Sequence, residues 1–265
     1  MVVALNPIAI KLGPYAVGWF GLLALVGLAS GVAATLRDAG AMGLPREPLL
    51  DALAWTIPVG VLGARLVHVL GAVDRYLVEP GGLPGISLTG LSLWGAIAAG
   101  GLVAASYLRA RKLDAWLVAD AAAPGLALGI AIGRLGELVQ GVGQGTPTTA
   151  LWGTRYLDPL SGTPDFGVPR HPAQAYDGLI ALGLFLVLAA QRRRLSRPGV
   201  RFCLFLMLYG AARIVLGQVR LDAPLVAGLQ AEQLIALGAV LVAARRLATM
   251  APWRWPGRPR PDAAA

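Results

Sequence analysis

Three arginines lie at or near the ends of long apolar segments of this sequence, namely Arg65, Arg134 and Arg213. A guanidinium at membrane depth is costly unless it is paired or hydrated, so each one indicates a functional site. Guanidiniums from separate helices can surround one anion, and a phospholipid phosphate suits their planar fork of donors. The alternative is that they extend to the interface or pair with carboxylates. The candidate carboxylates are Asp120, Glu137 and Glu232.

Arg134 stands in a glycine-rich segment that runs from Gly133 to Gly145. This glycine density exceeds what a plain helix favours, and it suits a backbone that approaches a ligand closely. The alternative is a frayed helix end followed by a flexible loop. Glu137, three residues after Arg134, either supplies a catalytic carboxylate or neutralises the arginine.

Two further segments combine polar groups at helical spacing. In residues 170–177, Pro172 suits the first turn of a helix, and Gln174 and Asp177 share a face. His171 is a candidate base, or else a hydrogen-bonding cap. In the second segment, Tyr209 and Arg213 lie one turn apart, and Arg220 follows.

The composition indicates the class of protein whose elements must position these side chains. Of the 265 residues, 56% are hydrophobic and only 14% are charged, and the mean hydropathy is +0.65. Soluble domains carry about 25% charged residues, so this composition indicates a membrane protein. With one cysteine and two distant histidines, we expect neither a disulfide framework nor a metal centre. We expect no cofactor.

The apolar segments predict an all-α polytopic membrane protein, because each is close to the roughly 20 residues that cross a bilayer. We predict one transmembrane domain over residues 1–265, with a flexible cytoplasmic tail at 250–265. The seven predicted spans are residues 16–36, 49–70, 91–108, 115–132, 173–190, 202–216 and 229–242. Glycine and proline are tolerated in such helices, and we assign no meaning to any single pattern of small residues four apart.

The charge distribution predicts the orientation. Fifteen of the 23 basic residues follow spans one, three, five and seven, and the positive-inside rule places them in the cytoplasm. The N-terminus is then outside and the C-terminus inside. The net charge of +9 is explained by topology, so nucleic acid is not an expected partner. Residues 133–172 become an extracytoplasmic head, in which Trp152, Tyr156 and Phe166 suit the interface. Residues 71–90 are a second outer segment, whose Gly- and Pro-rich stretch is a candidate for re-entering the membrane.

Taken together, these segments resemble the prolipoprotein diacylglyceryl transferase family over about residues 13–246. The glycine-rich family motif is matched at Gly133, Arg134, Gly136, Gly145, Pro147 and Thr148. An Arg-His-Pro-x-Gln-x-Tyr-Glu pattern appears at residues 170–177, with Asp177 for the glutamate. A Tyr-Gly-x-x-Arg pattern appears at Tyr209–Arg213. The remaining matches are Arg65, Arg220 and Gln233.

The resemblance implies a multi-pass enzyme of the bacterial cytoplasmic (inner) membrane. Such enzymes move diacylglyceryl from phosphatidylglycerol to the lipobox cysteine thiol in the signal peptide of a preprolipoprotein, releasing glycerol phosphate. We predict Arg134, Arg213 and Glu137 as catalytic residues. The predicted substrate-binding residues are Arg65, Gly145, His171, Gln174, Tyr209, Arg220 and Gln233. The thiol belongs to the substrate, so Cys203 is expected to be core packing.

Several polar positions of the family pattern hold other residues, which identifies the chain as a divergent member. They are Phe20 for Tyr, Trp94 for His, Glu137 and Gln140 for Asn, and Val142 and Gly217 for Glu. This indicates that lipid binding is kept while the thiol-activating chemistry is lost or rebuilt. The alternatives are a non-catalytic paralogue that binds anionic phospholipid, and a transferase with another acceptor. A small transporter is disfavoured because no internal repeat is visible.

Overall fold

The structure is a computed structural model that describes residues 2–3, 5–12, 15–71, 93–191, 197–221, 224–226 and 228–250. This part of the chain is mostly helical and holds seven helices, one at each predicted span. The helices are α1 (Trp19–Ala41), α2 (Arg46–Gly71), α3 (Leu93–Ala110), α4 (Ala115–Gln140), α5 (Ala173–Ala190), α6 (Val200–Leu216) and α7 (Ala231–Thr249). Four of them, α1, α2, α4 and α5, are long and apolar enough to cross a membrane.

Three short two-stranded sheets accompany the helices, which the apolar pattern did not predict. A parallel pair joins β1 (Val2–Val3) to β4 (Arg155–Tyr156). An antiparallel pair joins β2 (Ile8–Leu12) to β3 (Tyr15–Gly18) just before α1, and another joins β5 (Pro224–Val226) to β6 (Leu229–Gln230) before α7. The first pair attaches the beginning of the chain to the segment between α4 and α5.

The helices pack chiefly as α1 on α4, α2 on α3, α4 on α5 and α6 on α7, with α6 also touching α4 and α5. The α4–α5–α6 core contains Ala127, Leu188 and Phe205. Cys203 is fully buried, as expected for core packing. Large side chains such as Leu62 and Leu102, each 69% exposed, cover the outer surface, which is the arrangement expected where lipid is the solvent.

Helix α4 is longer than the span predicted within it. Asp114 caps its first turn by accepting hydrogen bonds from the backbone N–H groups of Trp116 and Leu117. It ends at Gly141, whose φ of 81° gives the left-handed cap that favours glycine. Residues 133–140 are therefore helical, and the irregular part of the predicted head begins at residue 141.

Two predicted segments lie wholly or largely outside the described residues. The possible re-entrant segment at 71–90 falls within the undescribed 72–92, apart from its first residue. The predicted cytoplasmic tail at 250–265 is described only at Met250.

A buried polar cluster holds the beginning of α6 against the beginning of α4 and the ends of α1 and α5. Asp120 accepts hydrogen bonds from the backbone N–H groups of Gly199 and Phe202 at 2.7 and 2.8 Å. Arg201 is fully buried. It pairs with Asp38 at 2.6 Å and donates to the Leu188 carbonyl. These contacts commit Asp120 to the start of α6, so it is not the partner of Arg134 or Arg213.

Candidate active site

Arg134 and Arg213 come together on one carboxylate. Arg134 lies near the end of α4, Arg213 near the end of α6, and Asp177 in the second turn of α5. Asp177 Oδ2 is 2.9 Å from Arg134 Nε and 2.6 Å from Arg213 Nη1. The Asp177 side chain is completely buried. Three helices are thus joined by one shared acceptor.

Two glutamates complete the cluster on its outer sides. Arg134 Nη1 is 2.6 Å from both Oε1 and Oε2 of Glu137, and Arg213 Nη2 pairs with Glu232 Oε2. The cluster therefore runs Glu137–Arg134–Asp177–Arg213–Glu232, with three carboxylates against two guanidiniums. Its formal charge is −1, so in this state it does not present a free cationic cradle.

Local structure explains how each member is positioned. Arg134 and Glu137 are three residues apart, a spacing that places them on one helix face. Glu232 lies in the first turn of α7, which begins with a reciprocal capping box between Gln230 and Gln233. Gln233 Nε2 also donates to the Ile214 carbonyl at 2.9 Å. Gln233, predicted to bind substrate, here connects the start of α7 to the end of α6.

Tyr209 lies against this cluster, one turn before Arg213. It interacts electrostatically with Arg134, Arg213 and Asp177. Tyr209 and Arg213, one helical turn apart on α6, therefore both lie at this cluster.

Gly145 and Arg220 belong to a backbone pairing beside the cluster. They form an antiparallel bridge, and the Gly145 N–H donates to the His171 carbonyl at 2.8 Å. A Cβ at Gly145 would lie 2.6 Å from the Val219 carbonyl oxygen. The glycine is required by this close approach of protein backbone, rather than by any contact that the structure shows with a ligand.

Glu137 and Arg220 both approach Gly143. A Cβ built on Gly143 would lie 3.0 Å from Glu137 Oε2 and 3.7 Å from Arg220 Nη2. The φ of Gly143 is +70°, so an L side chain would also be strained there. The glycine is therefore required by its backbone conformation and by the close approach of the outer carboxylate of the cluster.

His171 and Gln174 join the head to α5. His171 Nδ1 is 3.1 Å from the Tyr176 hydroxyl, which also accepts a hydrogen bond from the exposed Trp152 indole. Gln174 is fully buried, and its Nε2 donates to the Tyr156 hydroxyl at 3.5 Å. Within the described structure, Gln174 Oε1 and Asp177 Oδ1 are buried acceptors without a hydrogen-bond partner. They can accept hydrogen bonds from a ligand.

Tyr156 departs from the interfacial position expected for it. Only 1% of the residue is exposed, and its hydroxyl donates to the Leu138 carbonyl at the end of α4. Burial raises the pKa of Tyr156 to about 12. The strand pairing of β4 with β1 turns this ring inward, whereas Trp152 and Phe166 are exposed as expected.

Arg65 comes from a helix that contributes no residue to the Asp177 cluster. It is half-buried on α2, and α2 packs mainly against α3. The structure therefore unites two of the three predicted arginines in the Asp177 cluster, while the third comes from a different helix pair.

Asp177 and Glu232 were not among the predicted site residues, although both supply carboxylates that pair with the arginines. The signal for Asp177 was its helical spacing from Gln174, and the signal for Glu232 was its position at a predicted span end. Gly217 leaves room for the Gln233 amide, which a Cβ at 217 would strike. Arg213 instead obtains a carboxylate from Glu232. Val142, another departure, contacts Gly162 through its methyl group.

Metal binding finds no support in the residues that the structure describes. No group of three or more His, Cys, Asp or Glu side chains there is arranged to hold a metal ion. The cluster itself presents guanidiniums and carboxylates, with the Tyr209 phenol near them.

Comparisons with known proteins identify relatives over nearly the whole chain. A family model described as prolipoprotein diacylglyceryl transferase matches residues 7–249. The phosphatidylglycerol–prolipoprotein diacylglyceryl transferase of Streptococcus mutans serotype c is 32% identical over 257 residues, covering 91% of this chain and 96% of that protein. The protein of the same name from Bacillus cereus is 28% identical, over 90% of this chain and 89% of its own length.

Proposed function

Because the chain belongs to the prolipoprotein diacylglyceryl transferase family, we propose that it transfers diacylglyceryl from phosphatidylglycerol to a prolipoprotein cysteine. The main structural support for this proposal is that Arg134 and Arg213, from two helices, converge on the buried carboxylate of Asp177. Two guanidiniums held this way supply the donors that a phosphate leaving group needs. The activity named for the Streptococcus and Bacillus relatives supports the same reading.

The reaction exchanges one bond for another at a single carbon of the lipid. The substrate thiol loses its proton, and its sulfur forms a bond to the glyceryl carbon that carries the phosphate. The bond between that carbon and the phosphate oxygen breaks, so glycerol phosphate leaves with the electron pair. The leaving phosphate gains negative charge during this step, and guanidiniums placed beside it stabilise that charge.

Arg134 and Arg213 contact the phosphate in this mechanism, and Asp177 is a positioning residue that holds both. Glu137 accepts the thiol proton directly or through water. Its carboxylate stands next to Arg134, so the proton acceptor and the phosphate ligand belong to the same site. Tyr209 lies within electrostatic range of both arginines and of Asp177.

The remaining predicted residues form the surroundings of the lipid headgroup. Gln174 Oε1, buried and without a hydrogen-bond partner in the described structure, accepts a hydrogen bond from a glycerol hydroxyl. Arg220, whose guanidinium approaches Gly143 as Glu137 does, adds positive charge. Arg65 approaches the lipid from α2. Gly145, His171 and Gln233 shape the site through the backbone and capping contacts described above.

The chain crosses the bacterial cytoplasmic membrane seven times, with the N-terminus outside and the C-terminus in the cytoplasm. The head at 133–172 then lies outside the cytoplasm, where the lipobox cysteine of a signal peptide meets phosphatidylglycerol. The alternation of helix directions supports this arrangement. The ends of α4 and α6 meet the beginnings of α5 and α7 at the arginine cluster.

Glycerol phosphate release tests this function. The purified protein is given phosphatidylglycerol and a lipobox peptide, and both the released glycerol phosphate and the lipidated peptide are measured. We expect turnover by the unmodified chain. Arg134→Lys and Arg213→Lys should each lower kcat roughly 100-fold or more, because lysine lacks the planar fork.

The matched control is Arg111→Lys, at an exposed ion pair with Asp51, and it should retain wild-type turnover. Lipid retention without any glycerol phosphate release would contradict the transferase function and favour a lipid-binding paralogue.

A further inference from the structure

Each arginine of the cluster holds two different kinds of carboxylate. Asp177, shared by both, is fully buried, whereas the side chains of Glu137 and Glu232 are 20% and 31% exposed. Arg134 reaches Asp177 through Nε and Glu137 through Nη1. Arg213 reaches Asp177 through Nη1 and Glu232 through Nη2. In both cases the shared aspartate is the more deeply buried partner and the glutamate side chain is the more exposed one.

A carboxylate and a phosphate bind a guanidinium with the same hydrogen-bonding geometry. Both accept parallel N–H···O bonds from its fork, and both bring negative charge. The donors now occupied by the two glutamates are thus suited to phosphate oxygens. With the glutamates in place the cluster carries a formal charge of −1, which opposes the approach of another anion.

We propose that Glu137 and Glu232 occupy the guanidinium donors that the lipid phosphate uses, and that they leave their arginines when the phosphate binds. Asp177 remains paired with both arginines. These glutamates are affinity-determining residues, because every binding event must break their ion pairs. The inference rests on the proposed function for the identity of the lipid, but the exchange itself requires only binding.

A second positive charge lies near Glu137. A Cβ built on Gly143 would lie 3.0 Å from Glu137 Oε2 and 3.7 Å from Arg220 Nη2, so both side chains approach the same glycine. A Glu137 that leaves Arg134 therefore remains near another guanidinium. Glu232, in the first turn of α7, is the more exposed of the two and can turn towards solvent.

Lipid affinity tests the exchange without requiring turnover. Phosphatidylglycerol is titrated into the full-length protein in neutral detergent micelles, and Kd is measured by tryptophan fluorescence. Glu137→Gln and Glu232→Gln should each lower Kd about threefold or more, because a competing ion pair is lost. Glu47→Gln, at an exposed position at the start of α2, is the matched charge control and should leave Kd unchanged.

The affinities for two further ligands show which part of the lipid the arginines bind. Diacylglycerol, which lacks the phosphate, should bind all variants equally. Inorganic phosphate should show the same order of affinities among the variants if the exchange depends on the phosphate alone. A response only to the intact lipid would place the recognition in the whole headgroup. An unchanged or raised phosphatidylglycerol Kd in both glutamate variants would overturn the proposal.

A measurement on the unmodified chain covers the case in which a variant fails to fold. The sequence contains only four glutamates, so glutamate labelled with carbon-13 at its carboxylate marks few groups. Infrared difference spectra should show labelled carboxylate bands shifting when phosphatidylglycerol is added. A spectrum without such a shift at saturating lipid would show that the glutamates stay on their arginines.

The outcomes separate this inference from the proposed function. Tighter lipid binding by the glutamate variants, without glycerol phosphate release by the unmodified chain, would uphold the exchange and contradict the transferase. Turnover by the unmodified chain with unchanged lipid affinity in both variants would do the reverse.

Discussion

At the scale of single residues, the site depends on Asp177. Its carboxylate is fully buried and forms ion pairs with both Arg134 and Arg213. Without it, two mostly buried guanidiniums would face each other with like charge. Removing one partner of a buried ion pair is more damaging than removing the pair, because an uncompensated charge remains.

We therefore predict that Asp177→Asn lowers the free energy of unfolding by about 3–5 kcal/mol in detergent. Turnover should fall on the order of 100-fold, because the arginines lose their alignment. Unfolding is followed by thermal denaturation, and turnover by glycerol phosphate release. Asp177→Glu, which keeps the charge, should recover part of the turnover, as expected for a positioning residue.

Asp51→Asn is the control for this prediction. Asp51 pairs with Arg111 at 3.8 Å, and both side chains are more than half exposed. Its loss should change stability by no more than about 1 kcal/mol. Equal effects of the two asparagine variants would contradict the special role of the buried carboxylate.

Tyr156 gives the head a predicted sensitivity to alkaline pH. Its pKa is raised to about 12 by burial, whereas a tyrosine in an unfolded chain has a pKa of about 10. Below pH 10 the hydroxyl is protonated in both states, so its contribution to stability is constant. Above pH 10 the unfolded chain releases this proton first, so stability should fall by about 1.4 kcal/mol per pH unit until pH 12.

Unfolding measured in detergent between pH 9 and 11 checks this expectation. Tyr156→Phe should remove this part of the alkaline loss, although it also removes the hydrogen bond to Leu138. Tyr107→Phe, on α3, should keep the wild-type pH dependence. An unchanged pH profile in Tyr156→Phe would contradict the prediction.

At the scale of elements, glycine contacts bring α1 and α4 together. A Cβ at Gly31 would lie 2.7 Å from the Gly125 carbonyl oxygen, and one at Gly27 would lie 2.8 Å from that of Gly129. The four-residue spacing on both helices is the small-residue pattern to which we assigned no meaning in the sequence. The structure gives it one, since two backbones in contact leave no space for a side chain.

Gly31→Ala should consequently destabilise the protein by about 1–3 kcal/mol, because the opposing atom is backbone and the helices must separate. Thermal denaturation in detergent measures the change. Gly40→Ala, in the same helix, is the matched control, because nothing lies within 4 Å of its Cβ position. The control should be neutral or slightly stabilising. Destabilisation by both variants alike would point to a general effect of alanine.

At the scale of the whole molecule, polar groups collect at two opposite ends of the helices. One end holds Arg134, Asp177, Arg213 and the glutamates, and the other holds Asp38, Asp120 and Arg201. Large apolar side chains cover the surface between them. This division is what a bilayer requires, because polar groups are tolerated where they are paired or near water.

The proposed orientation predicts which end faces outward. In a Cys203→Ala background, Leu151→Cys should react with a membrane-impermeant maleimide in intact spheroplasts, since Leu151 is 96% exposed in the head. Glu47→Cys, at the exposed start of α2, should react only after permeabilisation. The reverse pattern would contradict the orientation derived from the basic residues.

The sequence by itself determined the helical architecture, since each bilayer-length apolar segment can satisfy its backbone only as a helix. It also identified the family and the arginines, because residue type and spacing are properties of the chain. Only the tertiary structure decided that Arg134 and Arg213 share Asp177 while Arg65 lies on another helix pair. Helix partners depend on close packing between distant segments, such as that of Gly31 on Gly125. No local pattern specifies which carboxylate will meet which arginine across such a contact.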